Sequence, residues 1–322
     1  MVASDLEHYY TFLQEAIGAN AYGRFPEDRD IDRSSALQYA AAEIKNIIAK
    51  KESRFIESKS SDGAVDGLLV FRQSAWDSSH FGFPVVLVDS VLCKYSEYTQ
   101  RYDVCARMVS DFAAICKSEG IRLVMSKSSS QDLALIHACE HVGFQFIESW
   151  IYNKIDLRKF KVNPEMLIPL RSATDGDMEV MQRFAWNSFA TQRFHADKRI
   201  PYDKAEELYQ KWIATSFADE RQKVLVHDVD GKPAAFSIYF TTDLTAQFGL
   251  KFTNWKLALI DPEIQGKGLG ALFFHSLFAY HQAEGSDVVD SGLTLRNIAS
   301  LNLHNKLQFK VTSTLVSMHL WL

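Results

Sequence analysis

Cysteine is scarce in this chain and forms no framework. Cys93, Cys105, Cys116 and Cys139 all lie in the first half of the 322 residues, without the paired spacing of a disulfide scaffold or the spacing of a metal site. Buried thiols are the expected role, and no metal ion is expected. Apolar runs long enough to span a bilayer are missing as well, and the N-terminus, with Asp5, Glu7 and Glu15, lacks the basic start and apolar middle of a secretion signal. A cytoplasmic protein without a membrane partner is the expectation. Positive charge is not in excess either: the formal net charge is −5, and basic residues cluster no further than pairs such as Lys198-Arg199, so nucleic acid is not an expected partner. What remains is an ordinary globular composition, 47% hydrophobic and 23% charged, at a length that favours two domains, each with its own core.

The most informative segment is Gln265-Gly266-Lys267-Gly268-Leu269-Gly270, which follows the apolar run Leu257 to Ile260 and opens the helical pattern Ala271 to Ala283. Glycines at alternate positions let the main chain turn N–H groups toward an anion, and the helix behind adds the positive end of its dipole. A pyrophosphate fits such a loop. Gly266, Gly268 and Ala271 also satisfy the G-x-G-x-x-G/A dinucleotide fingerprint, and any glycine cluster can be a plain loop. The dinucleotide reading ranks last, because Pro262 ends the strand early, Asp261 to Gln265 intervene, and only residues 271–322 remain to build such a domain.

A faint internal repeat frames this segment: Phe144 to Leu157 aligns with Phe309 to Leu322 at a shift of 165 positions, each a long alternating strand. Ahead of the first lie a helical pattern over Asp103 to Glu119, a Gly120 stop, a strand over Ile121 to Lys127, and a helix over Asp132 to Val142 ended by Gly143. Ahead of the second lie a helix over Leu269 to Glu284, a Gly285 stop, a strand over Asp287 to Leu295, and a helix over Ile298 to Leu307. Two copies of one αβαβ ending are predicted. In the first, Lys94 to Tyr102 stands where the glycine loop belongs and contains no glycine, so that copy is not expected to hold the ligand. Between the copies runs a linker, Arg158 to Ile168, followed by a strand and helix start over Leu170 to Asp177. Helices over Asp177 to Phe189 and Tyr202 to Thr215 follow, then strands over Lys223 to Asp228 and Ala234 to Thr241 around the Asp230-Gly231 hairpin signal. The N-terminal region reads as helices over 4–17 and 35–51, then strands near Phe55 and over Gly67 to Arg72.

Apolar strand, Ile-x-Pro, a short acidic link, Gln-x-x-Gly-x-Gly and a long helix together resemble the pyrophosphate arm of the GNAT acyl-coenzyme A transferases. A second block, Asn297-Ile298-Ala299-Ser300, then Leu303-His304, then Gln308-Phe309, resembles that family's Asn-x-x-Ala, Leu-Tyr and Gly-Phe segment. It departs from the pattern at Ser300, His304 and Gln308, where Ala, Tyr and Gly are usual. The resemblance implies an α/β (α+β mixed) protein of tandem GNAT folds, each a mostly antiparallel mixed twisted sheet flanked by helices. Residues 1–160 would be a degenerate copy and 165–322 a catalytic copy binding acetyl-CoA or another acyl-CoA as co-substrate. A narrower likeness covers about residue 67 to the end, weakly in the first half. Trp76-Asp77-Ser78-Ser79-His80-Phe81-Gly82-Phe83, Phe189 to His195, and Leu208 to Trp212 are similar to segments of the dTDP-fucosamine (dTDP-4-amino-4,6-dideoxygalactose) N-acetyltransferases of surface-polysaccharide synthesis. These imply a nucleotide-linked amino sugar as acceptor. A tandem GNAT acting on another small amine, as the mycothiol-forming acetyltransferases do, and a CoA-binding scaffold or sensor without turnover are the alternatives. A homodimer stays open.

The resemblance also places candidate residues. Main-chain groups of Ala258, Leu259 and Ile260 would bind the pantetheine arm, with one N–H polarising the thioester carbonyl. Gln265, Gly266, Lys267, Gly268, Leu269 and Gly270 would take the diphosphate, Lys267 being either a charged contact or a solvated surface residue. Asn297 would touch the CoA arm and cap the helix behind it. His304 would give a proton to the departing thiolate as an imidazolium, against a packing or surface role. His195 and Asp197 are candidates for the base, with loop structure as the alternative for each. Arg193 would meet the nucleotide diphosphate or pair with a neighbouring carboxylate, and Phe189 would line the acceptor site. Trp76, Asp77 and Phe81 are expected to shape a turn and pack.

Overall fold

The computed structural model describes residues 9–20, 25 and 28–322, and several of its helices start at a side chain that caps them. The beginning of the helix expected over 4–17 lies outside these residues. Two compact units emerge: Met1–Trp150 together with Thr312–Leu322, and Ile151–Val311.

The first unit opens with α1 (Tyr10–Asn20) and α2 (Arg33–Ile48). Asp32 caps α2 by accepting from the Ser35 N–H at 2.8 Å, and Ala36, Ala40, Ile44 and Ile48, four apart, form its buried stripe. Strands β1 (Arg54–Lys59) and β2 (Val65–Gln73) come next, then a short helix α3 (Ala75–Phe81), capped by Ser74 and ended by Gly82 in the left-handed conformation. A turn was the expectation there, and the Ser74 cap accounts for the difference. Next come β3 (Val85–Cys93), α4 (Tyr98–Ser118), β4 (Leu123–Ser129), α5 (Leu133–Val142) and β5 (Gln145–Asp156). β3 escaped the sequence reading because Val85 to Val88 carry no polar alternation. Helix α4 turns Val104, Met108, Val109 and Phe112 onto Leu69, Phe71, Val86 and Val124 of the sheet. It approaches β2 so closely that a Cβ on Gly67 would stand 2.6 Å from Val104 Cγ1. All four cysteines are free and buried in this unit.

The second unit contains β6 (Arg171–Ser172), α6 (Met178–Ala185), α7 (Arg193–Ala196), α8 (Tyr202–Ala218), β7 (Lys223–Val229) and β8 (Lys232–Leu244). It continues with α9 (Thr245–Phe248), β9 (Leu250–Ile260), α10 (Leu269–Ala283), β10 (Val288–Thr294) and α11 (Ile298–Lys306), and the chain ends in β11 (Lys310–Trp321). Asp230 and Gly231 both have positive φ, 52° and 73°, the backbone of a tight hairpin turn between β7 and β8. Helix α6 stops four residues short of the expected Phe189, because Asn187 takes a φ of 65° and gives its N–H to the buried Glu206 carboxylate at 2.9 Å. Arg171 holds Asp177, at the start of α6, and Asp228 on β7 through four charge-assisted bonds of 2.6–2.8 Å.

With the shift of 165, β4 falls on β10 and β5 on β11 residue for residue, and α5 begins on the first residue of α11. Strand order in the first unit is β1-β2-β3-β4-β11, and in the second β5-β10-β9-β8-β7-β6, so the closing strand of each unit comes from the other copy. The expected division at 160–165 thus differs from the compact units, which part at 150/151 and count Thr312–Leu322 with the first. The reason is packing. β11 pairs antiparallel with β4 from Leu315↔Ser129 to Trp321↔Leu123, and Met318 and Leu320 enter the first unit's core beside Val124, Leu135 and Phe144.

Candidate active site

Strand β9 carries an irregularity and then loses a neighbour. Its antiparallel ladder with β8 runs Tyr239↔Trp255 and then Ile238↔Leu257, leaving Lys256 as the extra residue of a bulge. On its other side, parallel pairing with β10 covers only Val288↔Phe252, Val289↔Thr253 and Asp290↔Asn254, although β9 continues to Ile260 and β10 to Thr294. Past Asn254 and Asp290 the two strands part. Main-chain groups of 255–260 and 291–294 therefore face a gap rather than each other, and an extended chain can add there as a strand does.

At the end of β9 the loop is ready for an anion. The Gln265 amide fastens it by donating to the Ile260 carbonyl at 2.9 Å. Gly266 and Gly268 take φ of 80° and 87°, and a Cβ on either would meet nothing within 4 Å, so the cradle is open and only backbone conformation demands glycine. Gln265 to Gly268, Lys267 among them, are exposed, Leu269 and Gly270 half-buried. Helix α10 starts immediately after Gly268 with no side chain capping its first N–H groups. Gly270 lets the helix settle under Leu303 of α11, whose Cδ2 would lie 3.3 Å from an added Cβ. An uncapped helix start, a left-handed glycine pair and a parted strand pair fit a diphosphate with an extended thioester arm. Asn297 caps α11, its Oδ1 accepting from the Ser300 N–H at 3.1 Å.

His304 lies under this gap, 4% exposed, against Phe274 and Phe309 at ring distances of 5.6 and 4.5 Å. Its Nδ1 is 2.8 Å from the Ser300 carbonyl and must donate to it, which leaves Nε2, 3.1 Å from Ser291 Oγ, to accept the serine hydroxyl. Burial pulls the ring's pKa below its ordinary 6.5, opposed by the bond to the Ser300 carbonyl. Burial thus favours the neutral ring, whereas proton donation by an imidazolium was the expectation. Ser291 was not singled out in the sequence. It is the first residue of β10 beyond the paired stretch, a hydroxyl on an otherwise buried strand.

The acceptor-side candidates form a separate packed cluster among α6, α7 and α8. Phe189 is buried and stacks on Tyr209 with ring centres 4.3 Å apart, a core position rather than an open lining. His195 is buried as well, its Nε2 2.9 Å from the Glu206 carboxylate, while Nδ1 has no hydrogen-bond partner among the described residues. Asp197 accepts from the Arg199 N–H and Nε, both at 3.1 Å, and holds the turn before α8. Arg193 lies over the Phe194 ring at 4.6 Å. Glu206, wholly buried, is the organiser that sequence reasoning missed. Its signal was a carboxylate beside Ala205, Leu208 and Tyr209 on the inward stripe of α8.

Solved structures match this geometry along the chain. A tandem GNAT protein from the clavulanic acid biosynthesis pathway superposes with a TM-score of 0.57 over 100% of this chain and 97% of its own, at 14% identity. This chain has the tandem GNAT fold. The same fold is shared with a GCN5-related glucosamine N-acetyltransferase region of a fungal multi-domain GH3 beta-N-acetylglucosaminidase, at a TM-score of 0.63 and 12% identity, over 98% of this chain and 37% of that one. By sequence, the chain is 16% identical over 257 residues to the spore coat polysaccharide biosynthesis protein SpsD of Bacillus subtilis, covering 80% of this chain and 84% of that protein. No family model matches it. Among the described residues, no helix is long and apolar enough to cross a membrane, and no group of His, Cys, Asp and Glu is placed to hold a metal ion.

Proposed function

We propose that this chain is an acyl-CoA-dependent N-acyltransferase that passes an acetyl or other short acyl group directly to the amine of a nucleotide-linked deoxyamino sugar. The observation that carries the reading is the uncapped start of α10 behind Gly266 and Gly268, set at the mouth of the gap between β9 and β10. Bound there, an acyl-CoA would supply an activated carbonyl. The chain would supply N–H groups of 266–270 for the diphosphate, Lys267 at the rim and main-chain groups of Ala258 to Ile260 for the arm. The acceptor class draws support from the fungal neighbour, a glucosamine N-acetyltransferase region, and from SpsD, a polysaccharide biosynthesis protein. The similarity of Phe189 to His195 and Leu208 to Trp212 to segments of dTDP-fucosamine N-acetyltransferases narrows it to dTDP-linked amino sugars. Thiol release measured with acetyl-CoA and a panel of dTDP- and UDP-amino sugars tests the proposal: turnover with at least one dTDP-amino sugar is expected, and hydrolysis alone would contradict it. A CoA-binding scaffold is the second reading, favoured by the buried, neutral state of His304. Tight CoA binding without thiol release from any amine would establish it.

A further inference from the structure

We infer that Ser291 and His304 form a hydroxyl–imidazole dyad that carries one proton from the attacking amine to the departing sulfur. The inference rests on the acyl-transfer reading above, and four observations on this chain support it.

The ring is held in one tautomer. His304 Nδ1 lies 2.8 Å from the Ser300 carbonyl, which can only accept, so the proton stays on Nδ1 and Nε2 keeps its lone pair. Ser291 Oγ, 3.1 Å away, is the hydroxyl that this lone pair faces. A hydroxyl within reach of a base whose other nitrogen is oriented by a third group is the arrangement that activates hydroxyls in enzymes. Position is the third observation: Asp290, partner of Asn254, is the last residue of β10 paired to β9, so Ser291 stands at the first step of the gap. Ser291 retains 8% exposure, while the histidine behind it is covered by Phe274 of α10 and Phe309 at the end of α11. Lastly, no charged group of the described residues is placed against the ring. Among the described residues, the groups facing it are Ser291 from β10, Ser300 from its own helix and these two phenylalanines. Burial lowers its pKa and no charged neighbour offsets that, so the resting dyad accepts a proton before it can give one.

The proton path closes on itself. The attacking nitrogen forms the C–N bond with its lone pair, and the C–S bond breaks with its electron pair left on sulfur. Ser291 Oγ takes the proton shed by nitrogen while the proton it held moves to His304 Nε2. The reverse pair of transfers then delivers one proton to sulfur, and the dyad ends as it began. Residue 304 therefore accepts first and donates second, rather than starting as an imidazolium.

The test combines a spectroscopic and a kinetic readout on the full chain. Nitrogen-15 NMR of labelled histidine, without any ligand, should show His304 neutral with the proton on Nδ1 at pH 7; a protonated ring, or a proton on Nε2, would overturn the dyad. Ser291→Ala should lower kcat about 100-fold with CoA affinity by calorimetry unchanged, and Ser291→Thr, which keeps the hydroxyl, should recover most of the rate. In the unaltered chain the acid limb of kcat should fall below pH 6.5, and in Ser291→Ala that limb should vanish. Full turnover in Ser291→Ala would refute the relay while leaving the acyl-transfer reading intact. Absence of thiol release from the unaltered chain would remove that reading and the relay together.

Discussion

Two helix starts, one in each copy of the repeat, differ in whether their first N–H groups are already capped or left open. In the second copy α10 begins at 269, which corresponds to position 104 of the first, whereas α4 begins at 98. The extra turn and a half of α4 occupies the place of the glycine loop. Its first N–H groups are already taken: Glu97 caps it by accepting from Thr99 and Gln100 at 3.0 and 2.9 Å. Arg101, which aligns with Gly266, sends its guanidinium to the Cys93 and Tyr95 carbonyls at 3.3 and 3.5 Å, where β3 has lost its pairing with β4. It is held there by Asp132, the counterpart of Asn297. A carboxylate thus sits where a diphosphate would, and a guanidinium where a thioester arm would. The first copy holds its own charges at this place, beside a cavity of about 330 Å³ lined by Ser96, Tyr98, Arg101, Gln131 and Asp132, and the second carries glycine and an uncharged amide.

Several substitutions break or sharpen this contrast. The largest effect is expected in the closed copy. Arg101→Met removes one partner of a buried pair whose side chains are 5% and 13% exposed, and should cost about 3–5 kcal/mol in chemical denaturation. CoA affinity should not change, because that pair lies outside the open copy. Gly268→Val places a β-branched residue at a φ of 87° in the open copy and should weaken CoA binding at least about 100-fold, or ~2.7 kcal/mol. The closed copy offers no equivalent site to compensate.

Acid should separate the copies too. His281, on the inward face of α10, accepts the Trp255 indole N–H at 3.0 Å, and burial pushes its pKa down to about 3. Its counterpart on α4 is Cys116, which burial pushes up to about 12 and which stays neutral throughout. The folded pKa of His281 is below its unfolded value, so the unfolded chain binds the extra proton. Its contribution is complete above pH 6.5 and is lost as pH falls toward 3, amounting to about 2 kcal/mol at pH 5. Hydrogen exchange at pH 5 should show the second unit opening before the first, and equal loss in both would contradict the assignment. Asn297→Asp carries the closed copy's carboxylate into the open one. It should keep the α11 cap while weakening CoA binding about tenfold, ~1.4 kcal/mol. The smallest effect is expected at Gln308, which has a φ of 63° where the first copy has Gly143 at 104°. Gln308→Gly should raise stability by about 1 kcal/mol in thermal unfolding.

Most of this contrast was legible in the residues. Caps, glycine stops and alternation placed the repeat to within a few residues, and the missing glycine in Lys94 to Tyr102 marked the closed copy. What escaped depends on distant contacts. Nothing local in Lys310 to Trp321 says that all but its first two residues join the first unit, since an alternating strand reads the same whichever neighbour it finds. Helix α6 ends early through Glu206, nineteen residues on from Asn187. At the site, the open glycine loop is a local property of glycines and was readable, whereas the burial of His304 and the hydroxyl it faces come from Phe274 and Ser291 on other elements. Phe189 looked available for substrate because its partner Tyr209 lies in the next long helix.

The central claim is that one copy binds coenzyme A and the other, occupied by its Arg101–Asp132 pair, does not. Isothermal titration of the full chain with coenzyme A tests it most directly: one molecule bound per chain, with binding lost in Gly268→Val and kept in Arg101→Met, is the predicted result. Two molecules per chain, none, or an affinity that follows Arg101 instead of Gly268 would contradict it.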